Sequence, residues 1–174
     1  RSDCNGLGEM RSFNSPSGYG VLNVPSGNVV VNWLKMSGIH TTGGATFTAN
    51  NVIDNGNNSG WTLNALTSRN MYWIGGSGNW NDPNHWSLSS GGGTAGCSPT
   101  QLDNVFFDNN SFTGNDTIST NEYDYAVNSL TFSGLTTSPL IQATYISVHG
   151  SLTLDPLVRS SVISYRFLSD LPGQ

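Results

Sequence analysis

Charge is the scarcest property of this 174-residue chain: only 10% of its residues are Asp, Glu, Lys or Arg, against roughly 25% in an ordinary globular domain. Lysine occurs once, at Lys35, and glutamate twice, at Glu9 and Glu122. With few alanines as well, the chain lacks the residues that fill helix surfaces, which excludes a helical bundle. Five arginines, scattered singly, make no basic patch, so nucleic acid is excluded as a partner. Apolar runs such as Val29-Val30-Val31 are far too short to span a bilayer as a helix. Cysteine is limited to Cys4 and Cys97, with no CxxC pair and no nearby histidine to suggest a metal site or a thiol nucleophile. They are either isolated thiols, half-cystines with partners elsewhere, or one disulfide closing a long loop, worth ~4 kcal/mol by chain entropy.

Neutral polarity replaces the missing charge. Asn, Ser, Thr and Gly fill 82 of the 174 positions, and the formal net charge is −5. Hydrophobic residues still amount to 36%, including 18 aromatics, which is enough for a packed core and argues against disorder. Low lysine, abundant Asn/Ser/Thr/Gly and an acidic balance are the composition expected of an extracellular bacterial surface protein. The chain opens on Arg1-Ser2-Asp3-Cys4 and closes on Leu171-Pro172-Gly173-Gln174, and both ends read as cuts in a longer polypeptide.

Short segments rich in β-branched and aromatic residues alternate with Gly, Pro, Asn and Ser turns. Residues 29–36, 45–49, 104–107, 130–132, 145–148, 152–154 and 162–167 all read as strands, and nothing sustains a helical period for three turns. The predicted class is all-β. An internal echo refines it. Asn32-Trp33-Leu34-Lys35-Met36-Ser37-Gly38 aligns with Asn128-Ser129-Leu130-Thr131-Phe132-Ser133-Gly134, both N-x-apolar-x-apolar-S-G. Short strands ended by Gly or Asn corners, at steps of about 6 and 16 residues, suit right-handed β-solenoid coils that stack inward apolar side chains on one another. A β-sandwich carries similar local signals and is the alternative.

The texture changes near residue 69. Tyr72-Trp73-Ile74-Gly75-Gly76-Ser77-Gly78-Asn79-Trp80-Asn81-Asp82-Pro83-Asn84-His85-Trp86-Ser87 holds Trp73, Trp80 and Trp86 close together, followed by a Gly-rich stretch, Pro99 and Asp103-Asn104-Val105-Phe106-Phe107-Asp108. This pattern resembles the opening of a module in giant repetitive cell-surface proteins of gliding and related Bacteroidota, adhesin-like proteins exported by the type IX secretion system. Thr42-Gly43-Gly44-Ala45-Thr46-Phe47-Thr48-Ala49 and Asp54-Asn55-Gly56-Asn57-Asn58-Ser59-Gly60-Trp61 resemble the closing coil of the same module type. The resemblance implies tandem, mostly β-helical modules acting as stalk or adhesive surface. It divides the chain into residues 1–68, the last coils of one module, and residues 69–174, a Trp-rich cap and the first coils of the next.

No sequence signal for catalysis stands out. His40, His85 and His149 are far apart, acidic residues are single and flanked by turn formers, and no G-x-S-x-G occurs. The chain is therefore expected to be non-enzymatic and to need no cofactor, with calcium the one ion its oxygen-rich clusters suggest. Asp54, Asn55 and Asn57 form one such cluster, and Asp103, Asp108 and Asp116 another. The competing reading is Asx turns that satisfy their own backbone. For Trp73, Trp80 and Trp86 the expectation is a hydrophobic plug over the end of the coil stack, with His85 hydrogen-bonded into it. The alternative is a carbohydrate-binding platform. Expected partners are neighbouring modules of the same chain and surface polysaccharide.

Overall fold

A computed structural model describes residues 7–13, 18–120 and 124–168. It divides into two compact units, Arg1–Thr67 and Ser68–Gln174. The chain is all-β: among the described residues the one helical element is a single 3-10 turn, Pro83–His85, and no helix is long and apolar enough to cross a membrane.

The first unit contains β1 (Gly8–Arg11), β2 (Gly20–Asn23), β3 (Asn28–Ser37), β4 (Ile39–Thr42), β5 (Thr46–Asp54) and β6 (Thr62–Ala65). One sheet runs β1-β3-β5-β6 and a second pairs β2 with β4, all in parallel. Parallel neighbours need a long return path, and here the return path is itself strand. β3 bends at Trp33 (φ 57°), and β5 bends at the equivalent place, Asn51 (φ 53°), because Asn32 pairs with Asn50 and Leu34 with Val52. Gly38 (φ 66°) then turns the chain into β4; a Cβ there would lie 2.7 Å from the Gly18 carbonyl oxygen. Inside the bends Met36, Ala49 and Val52 form a small core, with Met10, Val31, Leu34, Trp61 and Leu63 packed against it.

The second unit contains β7 (Asn70–Trp73), β8 (Gly78–Asn79), β9 (Trp86–Ser87), β10 (Asn104–Phe107), β11 (Thr117–Ser119), β12 (Asp124–Val127), β13 (Ser129–Phe132), β14 (Leu140–Val148), β15 (Leu152–Thr153) and β16 (Arg159–Phe167). One sheet runs β15-β13-β10-β7-β9; the other runs β12-β14-β11-β8, with β16 also on β14. Among the described strands β7 and β9 alone pair antiparallel, and an isolated antiparallel bridge joins Ser87 to Thr94. In-register pairing stacks like on like: Met71, Val105, Leu130 and Leu152 form one inward column, and Val127, Val148 and Phe167 another. Each fully buried aliphatic or aromatic side chain in such a column contributes ~1.5–3 kcal/mol.

All seven segments expected as strands overlap strands, with Ala45 and Leu154 falling just outside β5 and β15, and the parallel ladders do not fit a sandwich, which is built from antiparallel sheets. The expected steps of about 6 and 16 residues need correction. Asn28 pairs with Thr46 and Thr48 with Thr62, steps of 18 and 14 residues. In the second unit Leu140 pairs with Arg159, but Asn70 pairs with Asn104, because the whole Trp-rich segment is inserted in that circuit.

Candidate functional site

The Trp-rich segment builds a closed aromatic cluster. Gly75 (φ 87°) and Gly76 (φ 73°) turn the chain directly after β7, which brings the Gly76 carbonyl to the Trp73 Nε1 donor at 2.7 Å. Asp82 caps the 3-10 turn by accepting from the Asn84 backbone N–H at 2.9 Å, and Pro83 occupies the first helical position, where a missing N–H costs nothing. That turn delivers His85 flat against Trp73, ring centroids 4.6 Å apart and planes 8° from parallel. His85 Nδ1 lies 2.8 Å from the Ile74 carbonyl, so the proton sits on Nδ1 and the ring is an oriented donor. Trp86 donates Nε1–H to the Trp80 carbonyl at 2.7 Å. Trp73, Trp80 and Trp86 are 0%, 1% and 0% exposed, and their rings meet edge to face, at 85° for Trp73–Trp86 and 65° for Trp80–Trp86. No open, coplanar ring face is left on which a sugar could stack. The platform alternative for these three residues fails on burial.

Gly78 shows why the motif spacing is tight. A Cβ at this position would sit 2.2 Å from His85 Nε2. Gly78→Ala should therefore push His85 off Trp73, at an overpacking cost of ~1–3 kcal/mol. The check is a denaturant melt read by Trp fluorescence; an unchanged midpoint would mean that His85 is not held in place.

The oxygen-rich clusters resolve into turn chemistry. Asp54 accepts from the Gly56 N–H and from Asn58 Nδ2. Asn57, with φ 55°, donates to the Gly18 carbonyl, and the Asn55 N–H donates to the Met36 carbonyl. Asp108 accepts from the Asn110 N–H. Asp116 accepts from Ser77 Oγ at 2.8 Å and from the N–H groups of Thr113 and Gly114 at 3.1 Å, tying the Trp motif to the loop before β11. Asp103 is wholly buried and shared between Arg69 and Thr100. Among the described residues, no three His, Cys, Asp or Glu side chains converge as a metal site requires. Cys97 is buried and carries no free thiol, while Cys4 lies outside the described residues.

Asp116 also gives the second unit an acid limit. Partial burial pushes its pKa up, but the Ser77 hydroxyl and the surrounding N–H donors outweigh that and hold it below the ordinary 3.8. At the half-buried Asp155, the Leu157 and Leu135 N–H groups have the same lowering effect. A carboxylate with a depressed folded pKa stabilises fully above the unfolded value and loses its contribution as pH falls through the folded one. The melting temperature should therefore fall as pH drops below about 4. Asp116→Asn should flatten that fall; an equally steep acid limb in the variant would place the effect elsewhere.

Alternation in NMYW and NVFF sends Met71, Trp73, Val105 and Phe107 inward, which leaves Tyr72 and Phe106 on the outer face. These two rings stack at 4.9 Å and 18°, each giving one face to the other. Beside them Asn104 donates to Asn70 at 3.1 Å and Asn128 to Asn104 at 2.8 Å, an amide ladder climbing the sheet. In the first unit Asn32, Asn50 and Asn64 occupy one row, with Asn64 donating to Asn50 at 2.7 Å. The outward stack of Tyr72 on Phe106 has no counterpart in the sequence analysis, although strict alternation was the signal for it. No protein-family model, curated protein or solved structure matches this chain.

Proposed function

We propose that the chain is a non-enzymatic piece of a large secreted bacterial surface protein, and that its two units are β-solenoid segments of an extended, adhesive stalk. The supporting observation is the continuous parallel register, with apolar columns inside and amide and hydroxyl rows outside. Such a ladder is rigid along its stacking direction, because each coil hydrogen-bonds to the next. Its outer rows are neutral and rich in Asn, Thr and Ser, and offer many weak hydrogen bonds to polysaccharide hydroxyls. Tight attachment would come from many modules in series, each raising the effective concentration of the next. The Trp motif serves as the cap that starts a new stack, the role its likeness to module openings in type IX-exported surface proteins suggests.

The test is adsorption of the 174-residue chain, and of tandem copies of it, to insoluble polysaccharides and on a glycan array. Weak binding by one copy and a gain of 10²-fold or more in tandem supports the reading. A single saturable, oligosaccharide-specific site would instead make this a lectin. A chelator should leave the melting temperature unchanged, since the candidate carboxylates already accept from protein donors. A drop on chelation would restore calcium to the account.

A further inference from the structure

An asparagine followed by glycine sets a side-chain amide beside a backbone nitrogen that no Cβ shields. Among the described residues this step occurs once, Asn55-Gly56, at the corner that follows β5; Asn5-Gly6 lies outside them. Asn55 is exposed, and its side-chain amide makes no hydrogen bond to any described residue. Gly56 (φ 93°) has no heavy atom beyond its chain neighbours within 4 Å of where a Cβ would stand, so the space beside it is open.

The described asparagines that precede serine or alanine are tied down instead. Asn58, before Ser59, donates to the Met36 carbonyl and to Asp54, and accepts from the Ile39 N–H. Asn64, before Ala65, donates to Asn50 at 2.7 Å. Asn110, before Ser111, donates to Ser90 Oγ at 2.9 Å, and Asn128, before Ser129, donates to Asn104 at 2.8 Å. Asp54 completes the contrast. Its Oδ1 accepts the Gly56 N–H at 2.9 Å, the proton that must leave before this nitrogen can attack.

We infer that Asn55 is a site of spontaneous, one-way modification: deamidation through a cyclic imide, with Asp54 as proton acceptor. The Gly56 nitrogen bonds to Asn55 Cγ and its proton passes to Asp54. The Cγ–Nδ2 bond then breaks, and the amide nitrogen takes that proton and leaves as ammonia. Water opens the ring. Attack at the side-chain carbonyl gives aspartate, and attack at the backbone carbonyl gives isoaspartate, whose main chain runs through the former side chain. The balance is asparagine plus water to aspartate or isoaspartate plus ammonia, with nothing oxidised or reduced.

The hydrogen bonds of the corner give the two products different consequences. Asn55 N–H donates to the Met36 carbonyl at 2.8 Å, and the Gly56 carbonyl accepts from the Gly38 N–H at 3.1 Å. The peptide between residues 55 and 56 is thus tied on both sides to the preceding coil. Aspartate keeps these ties and adds a second negative charge beside Asp54. Isoaspartate inserts one more carbon between them, so both cannot persist, and the ladder of β3 on β5 loosens at this corner.

Peptide mapping by mass spectrometry tests this on the folded 174-residue chain, aged in mildly alkaline buffer well below its melting temperature. A gain of one dalton should appear first at Asn55, on the order of 10-fold ahead of Asn58, Asn64, Asn110 and Asn128, each of which must first give up a hydrogen bond. Hydrogen exchange at the Gly38 and Asn55 amides should quicken in the aged chain. It should stay slow in aged Asn55→Gln, whose longer side chain closes the ring poorly. Asp54→Asn keeps an acceptor oxygen but no base, and should slow the conversion several-fold. Conversion that begins at one of the tied asparagines overturns the proposal, as does an Asn55 that stays intact in the folded chain while the urea-unfolded chain converts there. An Asp54→Asn chain that ages as fast as wild type overturns the part given to Asp54.

Discussion

Replacing Trp80 with alanine should lower the stability of the second unit by ~3–5 kcal/mol, the range for deleting a fully buried large aromatic side chain. At this size each kcal/mol moves the melting temperature by about 4 °C, so a fall of about 12–20 °C is expected. The reason is position as well as area. Trp80 lies between Trp86 at 5.0 Å, Tyr125 at 5.4 Å and Phe107 at 5.9 Å, the last of which stacks on Phe132 at 4.4 Å. Removing the ring leaves a cavity bounded on three sides by aromatics that are themselves pinned. Trp86 Nε1–H donates to the Trp80 backbone carbonyl, a bond alanine can keep, so collapse into the space would have to break it. Trp80→Phe retains most of the apolar area and should lose far less. If Trp80→Ala melts within a degree or two of wild type, the ring is not a core element, and the assignment of the motif as a cap is wrong.

Much of this packing was legible in the sequence. The N-x-apolar-x-apolar-S-G echo placed Leu34 and Met36, and Leu130 and Phe132, as inward pairs. All four do face core, and the two closing glycines, Gly38 and Gly134, have φ of 66° and 67°. Alternation with two apolar anchors is a strong local signal, because only one face of the strand can be dry. β4 (IHTT), β6 (TLNA) and β11 (TIS) escaped it because each offers a single strongly apolar residue. They are strands because neighbours on the ladder supply their hydrogen bonds, a cause with a sequence separation of 13 to 40 residues. The burial of Trp73, Trp80 and Trp86 was legible from their density in the sequence. What could not be read was the outer pairing of Tyr72 with Phe106, since a register of 34 residues depends on how much chain the inserted cap consumes. For the same reason sequence proximity groups Asp103 with Asp108 and Asp116 as an oxygen-rich cluster, whereas its partners lie back at Arg69 and Thr100.

Asp103 carries the other large expected effect. Its carboxylate is fully buried and takes five donors. Arg69 N–H and Nε meet Oδ1 at 2.9 and 3.0 Å, and Arg69 Nη2, Thr100 N–H and Thr100 Oγ meet Oδ2 at 2.7, 2.7 and 2.9 Å. This knot fixes the loop before β10 to the residue that precedes β7, just where those strands begin to pair. Asp103→Ala should cost ~3–5 kcal/mol, because it removes the buried acceptor of two backbone N–H groups and leaves the partly exposed Arg69 guanidinium with the Ser98 carbonyl alone. The near-isosteric Asp103→Asn is expected to be almost as damaging. An amide has one acceptor oxygen and would point an NH₂ at donors on the other side, at ~1–3 kcal/mol for each buried group left unmatched. Arg69→Met should cost less than either, since Thr100 and the residue 69 N–H still satisfy the carboxylate and the arginine side chain is partly exposed. Urea denaturation of the three variants gives the ranking directly. If Asp103→Asn falls within ~0.5 kcal/mol of wild type, the level of an indifferent surface change, or Arg69→Met proves the worst of the three, charge pairing at this site is not what holds β7 and β10 in register.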